Sequence, residues 1–169
     1  SQEIARSLSV SAALAEILVN RGVRSAEEAR KFLSPRLDDL ASPFLFADME
    51  KAAKRISRAI TRREKVLVYG DYDADGISAS VLVFNLLRLV DCECECYIPD
   101  RLTEGYGLRA EKITEAHKAG FSLIITVDCG ITSIAEISLA KSLGIDVIVT
   151  DHHEPLCSKS SGAVSLPEA

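Results

Sequence analysis

Four short apolar runs, spaced by helix-length segments, constrain this chain more than any other feature. The runs are 66–70, 94–98, 123–127 and 146–150. Each is too short for a buried helix, and each is bounded by turn residues. Between them lie an apolar helical stretch at 77–90, a helix at 109–119 stopped by Gly120, and a helix at 133–143 closed by Gly144. The order β-α-β-α-β-α-β predicts an α/β domain with a parallel β-sheet and helices on both faces. Hydrophobic residues make up 47% of the chain, but aromatics only 5%, with no Trp, so the core must be aliphatic.

The segment before residue 65 is patterned differently. Residues 11–20 place Leu14, Ile17 and Leu18 on one helical face, ending at Gly22. Ser25 and Glu28 have the spacing of a capping box, and that helix ends near Leu33. A Pro-containing linker at 34–47 carries Phe44, Leu45 and Phe46 as apolar anchors, and Asp48 can cap a further helix running to about Arg63. The expected organisation is an N-terminal helical extension (1–64), an α/β core (65–155) and an irregular tail (156–169).

Several function classes are disfavoured. No uninterrupted apolar stretch is long enough to span a membrane. No basic segment followed by an apolar run opens the chain, so a cytoplasmic protein with reduced thiols is expected. The net charge of −5 conceals an asymmetry: residues 1–64 carry 12 Lys+Arg against 9 Asp+Glu, and residues 65–169 carry 8 against 16. A uniformly acidic chain is a poor partner for nucleic acid. Acidity concentrated in a metal site beside a basic flank is not.

The acidity is indeed concentrated. Asp71, Asp73 and Asp75 follow the first run, Asp128 follows the third, and Asp151, His152 and His153 follow the fourth. In an open parallel sheet the carboxyl ends of the strands share one edge, where ligands bind. Five carboxylates and two imidazoles therefore converge. So many like charges cannot sit together unneutralised, and divalent cations resolve the conflict. Mixed Asp and His ligation suits Mn²⁺, then Mg²⁺, and there are ligands enough for two ions. A calcium loop starting at Asp71 fails, because its twelfth position is Leu82. The plainer alternative is that Asp75 merely caps the helix beginning near Ile77.

These motifs resemble the DHH phosphoesterase family, and within it the single-stranded-DNA-specific exonucleases. The resemblance is carried by VLVYGDYDADGIS (66–78), YIPDRLTEGYGL (97–108), LIITVDCGIT (123–132) and GIDVIVTDHHEP (144–155), with RGVRSAEEARKFLSP (21–35) and SPFLFADMEKA (42–52) in the extension. It implies catalytic roles for Asp73, Asp75, Asp128, Asp151, His152 and His153. Metal ligation is implied for Asp73, Asp75, Asp128, His152 and His153. Asp71 belongs to the same loop, and Asp151 either ligates or orients a neighbouring His.

The implied activity is Mn²⁺- or Mg²⁺-dependent hydrolysis of single-stranded DNA from the 5′ end, in DNA repair and recombination, with DNA-repair proteins as partners. The alternatives are a DHH enzyme acting on short oligonucleotides, cyclic dinucleotides or pyrophosphate, and a catalytically silent DNA-binding or scaffold member. The family also carries a further acidic motif and a substrate-gripping second domain after the DHH triplet. Neither is found in these 169 residues, so the chain by itself is expected to be a poor nuclease.

Candidate nucleic-acid contacts are of two kinds. Arg55, Arg58 and Arg62 fall on one face of the helix before residue 64 and could follow phosphates. Arg101 and Arg109 flank the Gly105-Tyr106-Gly107 loop, where Tyr106 could stack on a base. Cys92, Cys94 and Cys96 are spaced as a strand row, which cannot close on one ion, and are expected to be buried as small hydrophobes.

Overall fold

The computed structural model describes residues 1–155; the expected tail at 156–169 lies outside the described residues. Two compact units divide at Met49/Glu50.

The first unit contains α1 (Gln2–Leu8), α2 (Ala12–Asn20) and α3 (Ala26–Leu33). Its core is Ile4, Ala15, Leu18, Val23 and Ala29. Sequence patterning does not anticipate α1, whose single buried residue is Ile4. On α2 the inward face is Ala15 and Leu18, while Ile17 is exposed. Ser25 caps α3 by accepting from Glu28 N at 3.1 Å. The Glu28 carboxylate reaches back to Arg24 N (2.8 Å), so the box closes one residue earlier than expected. Phe44, Leu45 and Phe46, expected as anchors, expose their side chains.

The second unit opens with α4 (Met49–Arg62), followed by β1 (Lys65–Gly70), α5 (Ala74–Leu89), β2 (Cys94–Tyr97), α6 (Ala110–Lys118), β3 (Phe121–Val127), α7 (Ile134–Ser142) and β4 (Asp146–Thr150). The sheet order is β2-β1-β3-β4, and every pairing is parallel. Alternation along the strands divides the core between two faces. Val66, Val68, Leu123, Ile125 and Val127 pack with Ala59 of α4 and Leu87 of α5. Leu67, Tyr69 and Ile124 pack with Ile113 and Ala116 of α6 and Ala140 of α7. Helices thus cover both faces, as the patterning predicts. No helix among the described residues is long and apolar enough to cross a membrane.

Two expectations need correction. Cys92 and Cys94 are buried, but Cys96 is exposed. It lies on the edge strand β2, whose covered end is at Cys94, with the Cys94 Sγ 3.9 Å from the Phe84 carbonyl. The helix after β1 begins at Ala74 rather than near Ile77, and its cap is Asp73, not Asp75. Asp73 Oδ1 accepts from both Asp75 N and Gly76 N at 2.9 Å. That satisfies two of the orphan donors at the helix start and frees the Asp75 side chain.

Candidate metal centre

The site is assembled at the carboxyl edge of the sheet by three turns. After β1 the chain enters α5 through only three residues, 71–73, so Asp71 is pressed against the first turn of the helix. A Cβ on Gly76 would stand 2.7 Å from both Asp71 Cβ and Asp71 O. Gly76→Ala should therefore push Asp71 out of place. We expect a loss of about 1–3 kcal/mol, the usual cost of overpacking, and weaker Mn²⁺ binding, measured by urea unfolding and titration calorimetry.

After β3, Asp128 adopts a left-handed backbone (φ 61), which Asp tolerates better than most residues. Its N–H is held by the Thr150 carbonyl at 2.9 Å, and Thr150 Oγ1 donates to the Thr126 carbonyl at 2.6 Å. The turns after β3 and β4 are therefore locked side by side. After β4, Asp151 has a fully buried side chain. Its Oδ2 accepts from Ile131 N (2.9 Å), and its Oδ1 meets His153 N (3.0 Å) and His153 Nδ1 (2.7 Å).

Two groups of side chains come close enough to share a cation: Asp71, Asp73 and Asp128, and Asp128, His152 and His153. Asp128 belongs to both. His152 Nε2 lies 2.9 Å from Asp128 Oδ1 and 3.7 Å from Asp75 Oδ2. Asp71 Oδ1 and Asp128 Oδ1 are buried and have no hydrogen-bond partner, so the 2.9 Å approach lacks hydrogen-bond geometry. Buried carboxylate oxygens without donors are costly. A ring nitrogen and unpartnered buried carboxylate oxygens gathered this closely are what ligands of a common cation look like. The donor set is oxygen and imidazole nitrogen with no thiolate, which fits Mn²⁺ or Mg²⁺.

The local electrostatics agree. Burial, then the charges of Asp75 and Asp73, raise the Asp128 carboxyl above its ordinary pKa. The N–H groups of Gly76 and Asp75 hold Asp73 below its own. For Asp151, burial is outweighed by the bonds from Ile131 and His153, and its pKa is lowered. The same Asp151 bond raises that of His153. An ionised carboxylate can only accept, so His153 Nδ1 carries hydrogen, and Nε2 has a lone pair to offer in the neutral ring. Asp151 is thus placed to orient His153 rather than to ligate.

The sequence-predicted nucleic-acid residues separate into two places. Arg101 and Tyr106 lie at the site edge. The Arg101 guanidinium sits over the Tyr72 ring at 5.4 Å, and Tyr106 Oη lies 3.0 Å from His153 Nδ1. Arg109, just before α6, lies 3.8 Å from the Glu111 carboxylate.

Arg55 and Arg58 are elsewhere. Arg55 is paired with Glu64 (2.7 Å) and Asp146, and donates to the Ser122 carbonyl (3.1 Å). Arg58 also pairs with Asp146, at 3.0 Å. Glu64, Ser122 and Asp146 all lie at the amino ends of strands, and Arg62 ends α4 near the same edge. β3 has 7 residues, so the two sheet edges are roughly 20 Å apart. Arg55, only 12% exposed, closes an ion-pair cluster at the edge opposite the site, while Arg58 is half exposed there.

Sequence reasoning misses the part played by two phenols. Tyr69 is fully buried, and its hydroxyl donates to the Gly107 carbonyl at 3.2 Å. The available signal is a Tyr inside an otherwise aliphatic strand, since a buried phenol needs a partner. Tyr106 presents a hydroxyl to the site, where its position in the sequence suggests only a stacking ring.

The description DHH family, N-terminal domain, matches residues 65–167. The chain is 44% identical over 154 residues to the single-stranded-DNA-specific exonuclease RecJ of Bacillus subtilis (strain 168), covering 91% of this chain and 20% of that protein. It is 40% identical over 144 residues to the Escherichia coli (strain K12) protein of the same description, covering 84% of this chain and 24% of that one. The crystal structure of RecJ from Thermus thermophilus in complex with Mn²⁺ is similar with a TM-score of 0.70 and 30% identity, over 91% of this chain and 21% of that one. The chain spans about a fifth to a quarter of the length of these curated relatives. The matched region begins with β1 and contains all three ligand-bearing turns, and on that ground the chain belongs to the DHH family.

Proposed function

We propose that the chain is the metal-binding part of an exonuclease that hydrolyses phosphodiester bonds in single-stranded DNA with Mn²⁺ or Mg²⁺. The observation that carries this is the sharing of buried Asp128 by two cation-sized groups of ligands. Bound divalent ions would supply Lewis acidity and a water ionised near neutral pH. The chain's own residues do the rest. Asp71, Asp73 and Asp128 would hold one ion. Asp128, His152 and His153 would hold the second, with Asp75 beside His152. Asp151 would fix the His153 ring, and Arg101 would meet a phosphate at the rim.

The RecJ relatives, named for single-stranded DNA, support that substrate. A place in DNA repair and recombination, 5′-to-3′ polarity and a cytoplasmic setting are further parts of the same proposal. An N-terminal extension at 1–64 and a DHH core at 65–155 are the proposed functional division.

The test is degradation of a 5′-labelled single strand, a duplex and a dinucleotide with Mn²⁺, beside B. subtilis RecJ as reference. We expect slow, EDTA-sensitive hydrolysis that prefers the single strand. Turnover should fall well short of the reference, because substrate positioning can be worth about 7–11 kcal/mol. Comparable turnover would show that residues 71–153 suffice. Preference for the dinucleotide would favour a small-substrate enzyme, and no hydrolysis with intact metal binding would favour a silent member.

A further inference from the structure

Four strand-end loops meet at the site, and the one after β2 supplies no ligand to either cation-sized group. It is nonetheless the most elaborately held. Tyr97 pairs with Glu104 through its hydroxyl, and Glu104 Oε2 accepts from Asp100 N at 2.7 Å. Asp100 Oδ1 accepts from Leu102 N (2.9 Å) and Thr103 N (3.0 Å). At the far end, the buried Tyr69 hydroxyl holds the Gly107 carbonyl. Between these anchors Gly105 and Gly107 take left-handed backbones (φ 77 and 90) on either side of Tyr106. Only glycine adopts that region without cost, so the loop's shape is spent on aiming one side chain.

That side chain reaches both ligand-bearing turns. Tyr106 Oη lies 3.3 Å from the Asp128 carbonyl oxygen and 3.0 Å from His153 Nδ1. Its ring meets the imidazole edge to face, with centroids 5.5 Å apart. His153 Nδ1 thus lies between Asp151 Oδ1 and the phenol oxygen, and the phenol hydroxyl donates to the Asp128 carbonyl. The left-handed Asp128 is thereby held at its N–H by Thr150 and at its C=O by Tyr106.

We infer that Tyr106 is a positioning residue of the metal centre: its hydroxyl ties the β3 and β4 turns together, fixing the backbone at Asp128 and the ring plane of His153. This rests on the metal-binding reading above for its purpose, but it differs from a base-stacking role. A stacking platform needs only the ring, and Tyr106→Phe keeps the ring while removing the hydroxyl.

The experiment compares Tyr106→Phe with the parent chain in two ways. Titration calorimetry with MnCl₂ should show about tenfold weaker binding, in the range of outer-shell partners of metal ligands. Amide and imidazole ¹⁵N spectra of the metal-free proteins should show broadened or doubled signals at Asp128, Cys129 and His153, with the remainder unchanged. Mn²⁺ affinity within twofold of the parent and unperturbed signals at those three residues would overturn the inference. So would an effect on single-strand binding alone, which would return Tyr106 to stacking. If the parent binds no Mn²⁺, the proposed metal function fails, and the metal-free spectra still decide whether Tyr106 holds the two turns.

Discussion

Asp128→Asn is expected to raise the melting temperature of the metal-free protein and to lower that of the protein in Mn²⁺. In the metal-free state the Asp128 carboxyl has a raised pKa, from burial and the charges of Asp75 and Asp73. The folded protein therefore holds that proton more tightly than the unfolded chain does. Above the carboxyl's unfolded pKa, the group opposes folding. Asn is nearly isosteric and uncharged, so the metal-free fold gains. With Mn²⁺ the sign reverses, because Asp128 is common to both ligand groups and binding to the folded state is folding energy. The loss of Mn²⁺ affinity should exceed the roughly 10–100-fold typical of outer-shell substitutions. Paired thermal melts with EDTA and with MnCl₂ check this, and melting shifts of the same sign in both would sink it.

Arg55→Ala should destabilise the protein by about 2–3 kcal/mol and leave single-strand binding untouched. Removing one member of a fully buried ion pair costs about 3–5 kcal/mol. Arg55 and Glu64 are 12% and 18% exposed at their side chains, and Arg55 Nη1 is buried without a partner. Both facts put the expected loss below that range. For Glu64, burial is outweighed by bonds from Ser122 and Arg55 and by the charges of Arg55 and Arg58, so its pKa is lowered. A lowered carboxyl pKa stabilises the fold above the unfolded value. That contribution disappears as pH falls through the folded one. Urea unfolding from pH 7 to pH 3 should show the difference between parent and variant shrinking toward acid. If Arg55 followed phosphates instead, the log–log salt slope of single-strand binding would flatten by about 0.7.

Local patterning was enough for the sheet, because the central strands β1 and β3 alternate between two covered faces. β4 begins and ends where its apolar run does, and β1, β2 and β3 differ from theirs by at most two residues. The meeting of the acidic turns was legible for the same reason: Asp71, Asp128 and Asp151 each directly follow a strand, and parallel strands end together. What the patterning did not contain were contacts, near or far along the chain, that leave no periodic trace. Arg55 reads as one more cation on a basic helix, and only the packing of α4 against the sheet brings Asp146 to it. The cap of α5 is Asp73 rather than Asp75 because the tight approach of Gly76 to Asp71 starts the helix early. Helix α1 has one buried residue, too few to generate a pattern.

The hydrogen bond from Asp128 N to the Thr150 carbonyl carries a consequence for the order of assembly. The first candidate ligand is Asp71 and the last are His152 and His153, on turns that meet only after β4 has docked on β3. Closing so long a stretch of chain is entropically expensive and comes late. A nascent or half-folded chain can offer the Asp71–Asp75 loop to a cation, but not the shared carboxylate in its left-handed turn. With the proposed ligands, tight metal capture is expected to follow strand docking rather than to nucleate it. The rate at which Mn²⁺ becomes tightly held, followed by stopped-flow mixing during refolding, would time the docking of the final strand.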